Sequence, residues 1–179
     1  MMANVAIQID RFVLNNLCED GTGSYTTPVG GFTTASNINQ IFGDLVSKVA
    51  GYSDAYNNLF VVIENTDLPG LMVAGATNGF MVADGVIKNG KVGSWMGVDI
   101  YVVRSSTFAS ETLGTISYTN SGHRVFGVKG VATYAAPRGV QYEEKAVSGK
   151  TGKEIAVYGY CGFKLWTPKA GLIVDITLA

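Results

Sequence analysis

Charge is scarce in this 179-residue sequence. Thirteen Lys/Arg and 14 Asp/Glu make up 15% of it, against roughly a quarter in average soluble domains. Such a chain has trouble covering itself with polar groups as a monomer, which points to surface meant for other protein. The net charge of −1 supplies no long-range field for a phosphate backbone, and no Lys/Arg cluster is interleaved with aromatics. No nucleic-acid site is expected. Apolar runs such as Leu59–Ile63 and Gly97–Val103, the latter broken by Asp99, fall far short of the ~20 residues of a membrane span. The N-terminus lacks a basic start followed by an apolar stretch, so neither signal peptide nor membrane anchor is expected and the chain reads as soluble and intracellular.

Metal-binding and nucleophilic residues are equally sparse. The single histidine, His123, falls in the polar stretch Thr119–Arg124 and reads as a surface loop residue. Two cysteines, Cys18 and Cys161, cannot build a disulfide framework, and both read as buried small hydrophobes. One His and two distant Cys do not make a zinc site. No Gly-x-Ser-x-Gly elbow surrounds any serine. The run Ser148-Gly149-Lys150-Thr151-Gly152-Lys153 imitates the end of a phosphate-binding loop. The position that needs glycine is Glu144, and no long helix follows, so a solvated turn is expected. Glu143 and Glu144 point to opposite faces of a strand and cannot share a proton. They suit Lys or Arg on a neighbouring subunit, or a solvated edge. No catalytic, cofactor or metal site is therefore expected.

What is present is a patterned α+β chain. Val5, Ile9, Val13 and Leu17 recur at four-residue steps, with Phe12 and Leu14 beside them, and predict an amphipathic helix over Ala3–Cys18 closed by Gly21. A second helix is expected from Thr34 or Ser36 to Ala50, and a strand buried on both faces at Leu59–Ile63. Pro69 suits the first turn of a short helix that Gly75 should stop. Strands are expected at Val98–Val103, Arg124–Val128 and Val131–Tyr134, then extended segments at Val140–Val147, Glu154–Trp166 and Leu172–Leu178. The turn Thr167–Gly171 is expected to join the last two as an antiparallel hairpin.

Several of these phrases, in order, resemble the major capsid proteins of tailed phages, which have the Hong Kong ninety-seven fold. Leu59–Asp67 (LFVVIENTD) resembles the family's strand-to-helix phrase, and Asn89–Val103 (NGKVGSWMGVDIYVV) resembles its Asn-Gly … Gly-Val-Asp-Val-Tyr-Val segment. Val131–Lys145 is similar to its Ala/Tyr-rich strand leading into a charged one, and Tyr158–Val174 to its proline turn and apolar last strand. The resemblance covers Ala3 to Leu178.

The resemblance implies a non-enzymatic shell subunit in a virion, made in the bacterial host cytoplasm. Its partners would be identical subunits in pentamers and hexamers, with scaffolding or portal proteins besides. It implies an axial lobe at residues 21–135 and part of a peripheral lobe at 1–20 and 136–179. The resemblance implies no counterpart in these residues for the family's N-terminal arm, E-loop and full spine helix. Family members that cross-link use an E-loop lysine, so that chemistry carries over to no lysine here.

Subunits are expected to pack through loops such as Gly75–Ser94, burying on the order of 1,000 Å² per stable contact, and to be monomers or weak oligomers in dilute solution. A charged residue at Trp95 or Met96 should then impair assembly more than folding. The rival readings are a phage tail or decoration protein, and an enzyme whose carboxylates face each other across a cleft.

Overall fold

The computed structural model describes residues 2–51, 58–78, 91–108, 110–113, 116–146 and 153–179. Ten strands and three helices are described: α1 (Met2–Asp20), β1 (Gly23–Thr26), α2 (Ile38–Val49), β2 (Leu59–Glu64), α3 (Leu68–Asn78), β3 (Lys91–Trp95), β4 (Val98–Val103), β5 (Ser110–Leu113), β6 (Ile116–Thr119), β7 (His123–Val128), β8 (Ala132–Ala146), β9 (Lys153–Leu165) and β10 (Ile173–Thr177). The class is α+β, as the order of elements implied.

The centre is a six-stranded mixed sheet in the order β1-β10-β7-β2-β4-β3. The β1/β10 and β2/β4 pairs are parallel and the others antiparallel. β2, β7 and β10 are apolar on both faces, and Val61, Ile63, Val125, Phe126, Ile173, Val174 and Ile176 are fully buried. Alternation along the strands assigns the two faces. Trp95, paired with Val98, lies on the face where its ring meets Phe42 of α2 at 6.2 Å. Val62, paired with Tyr101, lies on the opposite face, in a groove of about 680 Å³ shared with Val13 and Leu14 of α1. The sheet is thus sandwiched, α1 on one side and α2 with α3 on the other.

Polar side chains fix α1 in place. Asn120 Nδ2 donates to Asn15 Oδ1 at 3.0 Å, Asn15 Nδ2 donates back along the helix to the Arg11 carbonyl at 2.7 Å, and Asn16 Nδ2 donates to the Tyr118 hydroxyl at 2.8 Å. Asn15 and Asn120 are buried, so these bonds satisfy groups that would otherwise be costly to desolvate.

Two expectations are corrected by the tertiary packing. α3 runs through Gly75, because Leu71, Ala74 and Gly75 form its buried face and outweigh the ~1 kcal/mol helix penalty of glycine. Thr167–Leu172 is a 3₁₀ segment, and β9 and β10 do not form a hairpin. β10 is too apolar for an edge and enters the sheet between β1 and β7, whereas β9 pairs with β8. Ile173, Val174 and Ile176 therefore join the core that holds Val61 and Phe126. After Gly21 the chain forms the short strand β1, whose Gly23 lies so close to β10 that a Cβ would meet the Ile173 carbonyl oxygen at 2.8 Å.

No described helix is long and apolar enough to cross a membrane.

Candidate functional site

The sequence-predicted residues do not converge. His123 opens β7 half-buried rather than sitting on a loop, and its Nδ1 lies 2.9 Å from both carboxylate oxygens of Asp175. Cys18 shares that carboxylate. Burial, together with Asp175 beside it, pushes its thiol far above the usual range, so it is no thiolate nucleophile. Cys161 is exposed on β9, correcting the buried reading: an outward position on a strand of small and aromatic residues looks apolar in sequence without being covered. The phosphate-loop-like residues Ser148–Gly152 lie outside the described residues, as do 79–90 of the loop expected to make subunit contacts.

The carboxylates likewise do structural work. Glu144 takes Lys153 of its own chain at 2.7 Å and the Tyr142 hydroxyl, so its cationic partner is internal. Asp67 and Glu64, which sequence reading did not single out, surround the buried Arg124 at 2.5 and 3.2 Å. The guanidinium also lies over the Phe108 ring. Asp67 further accepts the Glu64 N–H, and Glu64 accepts the Phe108 N–H. Both carboxylates are committed to a cation and to backbone rather than facing each other across a cleft. Among the described residues no three His, Cys, Asp or Glu are grouped to hold a metal.

Trp95 and Met96 separate. Trp95 is 3% exposed and its indole N–H donates to Asn39 Oδ1 at 3.2 Å, so it is a core residue and a charge there would first oppose folding. Met96 is 52% exposed at a left-handed φ of 50°. With Gly97 at φ 81° it forms the two-residue loop between β3 and β4.

The distinctive surface is the β8–β9 ribbon. These strands of 15 and 13 residues form a sheet of their own, and most of their described side chains are exposed. Tyr134, Tyr142, Ile155, Tyr158 and Tyr160 face solvent, with Trp166 at the base. A free two-stranded ribbon is marginal in water, and exposed aromatics of this density mark protein contact. At its base it meets α1 around an apolar cavity of about 280 Å³ lined by Ile9, Phe12, Tyr134 and Tyr160. The tyrosines at 134, 142, 158 and 160, with Ile155, are the sequence signal for this surface. Periodicity alone does not tell one covered face from two open ones.

No protein-family model matches the chain, and no curated protein matches it. Solved structures do. A chain from Mycobacterium phage Che8 superposes over 98% of this chain at a TM-score of 0.70 and 14% identity. The capsid structure of the cyanophage P-SCSP1u superposes over 100% at 0.66 and 12%. The virus-like particle from Pyrococcus furiosus superposes over 96% at 0.58 and 9%. The fold is a shell-protein fold. More particularly, it is the Hong Kong ninety-seven-like fold of phage capsid proteins, as the sequence resemblance implied. The chain spans 60%, 64% and 63% of the lengths of these three chains.

Proposed function

We propose that this chain is a structural subunit of a phage or prophage head that self-assembles with identical copies into a closed shell. The observation that carries the reading is superposition of the whole chain on the cyanophage capsid structure. The low charge fraction and the exposed aromatic ribbon support it, because both suit a protein that hides surface by assembling. The role is mechanical rather than catalytic: Glu64, Asp67 and Glu144 are held by cations of their own chain, and the buried thiol is raised in pKa. The particle is the virion capsid, made in the host cytoplasm, with scaffolding and portal proteins as further partners. Residues 21–135 form the axial lobe, completed by β10, and α1 with the β8–β9 ribbon forms part of the peripheral lobe.

Electron microscopy of the purified chain over a concentration series, with light scattering for mass, tests this. Pentamers, hexamers or closed shells are the expected result. A chain that stays monomeric at the highest concentration, and also fails to enter particles when co-expressed with a scaffolding protein, would sink it.

A further inference from the structure

The two edges of the β8–β9 ribbon are not alike. Ala135 pairs with Gly162, Arg138 with Tyr160 and Gln141 with Tyr158, so β8 advances three residues twice while β9 advances two. These are two one-residue bulges, both on β8, and they account for its 15 residues against 13. Pro137 falls in the first bulge and Gly139 in the second. Bulges and proline are devices that blunt an edge against strand addition. β9 has neither: Lys153–Leu165 is proline-free and unbulged, and no described strand pairs with its outer side.

The sequence of β9 is complementary to itself. An antiparallel copy centred on Gly159 sets Tyr158 opposite Tyr160, Val157 opposite Cys161, Ile155 opposite Phe163 and Glu154 opposite Lys164. A two-fold axis repeats each pair, giving two opposite-charge, two aromatic and four aliphatic or mixed apolar pairings, the cross-strand combinations that stabilise a sheet. Tyr158, Tyr160 and Ile155 are 38%, 57% and 44% exposed in the single chain and so available.

We propose that β9 is a two-fold self-recognition edge, where two copies of this chain join their ribbons into a four-stranded antiparallel sheet through β9 about Gly159. The contact rests on the shell reading for its place in a particle, while its chemistry needs only a second copy. Strand pairing of this size falls below the ~1,200 Å² of a stable interface. The edge therefore closes when other contacts hold copies together and stays mostly open in dilute solution. The contact is isologous, so it ends after two copies instead of propagating as a fibre.

Single-cysteine scanning on a Cys161→Ser background tests it. Facing residues across an antiparallel pair have Cα atoms about 4.5–5.5 Å apart, within disulfide range. Only position 159 faces itself, so Gly159→Cys should give the highest yield of disulfide-linked dimer under mild oxidation, falling away at Ile155→Cys and Phe163→Cys. Gly159 lies in extended strand beside the α1 cavity, Ile155 is exposed and Phe163 half-buried, and circular dichroism of each variant checks that the fold is kept before its yield is compared. On the Gly159→Cys background, Lys164→Glu sets like charges opposite twice and should lower the dimer yield roughly tenfold. Adding Glu154→Lys should restore it.

Absence of cross-linking at every position in concentrated or assembled protein overturns the proposal, as does a maximum away from 159 or a Lys164→Glu variant with unchanged yield. Shells seen by microscopy without the 159 cross-link overturn the β9 contact and leave the shell reading standing. The cross-link without shells under any condition supports the contact and overturns the shell reading.

Discussion

Arg124 Nε lies 2.5 Å from Asp67 Oδ2 in the interior of the protein, with the two side chains 4% and 3% exposed. Arg124 comes from β7 and Asp67 from the turn before α3. Glu64 at the end of β2 completes the cluster and reaches the N–H of Phe108. One buried cation therefore ties the central sheet to the segments that follow β2 and β4. Removing one member of such a group leaves an uncompensated buried charge. Arg124→Met, which exposes Asp67 and Glu64 to each other, should cost about 3–5 kcal/mol. Urea denaturation checks it, and a loss under 1 kcal/mol would mean the cluster is solvated.

Two glycines should respond in opposite directions to alanine. A Cβ on Gly70 in α3 would stand 2.1 Å from the Phe32 carbonyl oxygen, with Thr33 backbone at 2.6 Å. Backbone cannot move aside as a flexible side chain can, so Gly70→Ala should leave little folded protein by circular dichroism. Gly43 in α2 has nothing within 4 Å, and Gly43→Ala should stabilise by about 0.5–1 kcal/mol through lower unfolded-state entropy.

Trp95 and Met96 make a second contrast. Trp95→Glu should unfold the chain, since the indole packs on Phe42 in the core, and even truncation of such a residue costs about 3–5 kcal/mol. Met96→Asn should raise stability modestly, because both loop residues have positive φ and Asn-Gly is the favoured pair for that turn. Paired thermal melts decide it: a lower Tm for Met96→Asn would show that the methionine makes a compensating contact.

Acid should loosen the β3–β4 edge. Partial burial raises the Asp99 carboxyl, but hydrogen bonds from Lys129 and Lys91 outweigh it and hold the group below its usual 3.8. A depressed folded-state pKa means the stabilisation is fully present above the unfolded value. It is lost as pH falls from about 3.8 through the lower folded value. Wild type and Asp99→Asn should therefore differ in stability at pH 6 and converge as the pH falls below the lowered folded-state value. A constant gap across that range would assign the effect to packing.

Where local pattern and burial agreed, the sequence was readable. Val5, Ile9, Val13 and Leu17 announced α1, Ile38–Val49 announced α2, and the unbroken apolar run Leu59–Ile63 announced a strand covered on both sides. The phrases resembling phage capsid proteins foretold the fold over nearly the whole chain. The Arg124 cluster left no such trace: Glu64, Asp67 and Arg124 look like ordinary surface charges until β2 and β7 are paired. His123 reads as a loop residue for the same reason, since only the β7/β10 register brings Asp175 to it.

Periods of two and near four along the chain thus marked α1, α2, β2, β4, β7 and the extended segments of β8, β9 and β10, but not the strands β1, β3, β5 and β6, and residue chemistry made a metal or nucleophilic centre unexpected. Tertiary structure decided where each strand went. β9 and β10 are both extended and rich in apolar residues, but one stands in a solvent-exposed ribbon and the other in the middle of the sheet. The physical reason is that a strand's own sequence sets its two faces, while its partners are set by long-range pairing and by how much apolar area each placement removes from water. Ile173, Val174 and Ile176 gain full burial between β1 and β7, and Tyr158 and Tyr160 remain outside with an open edge.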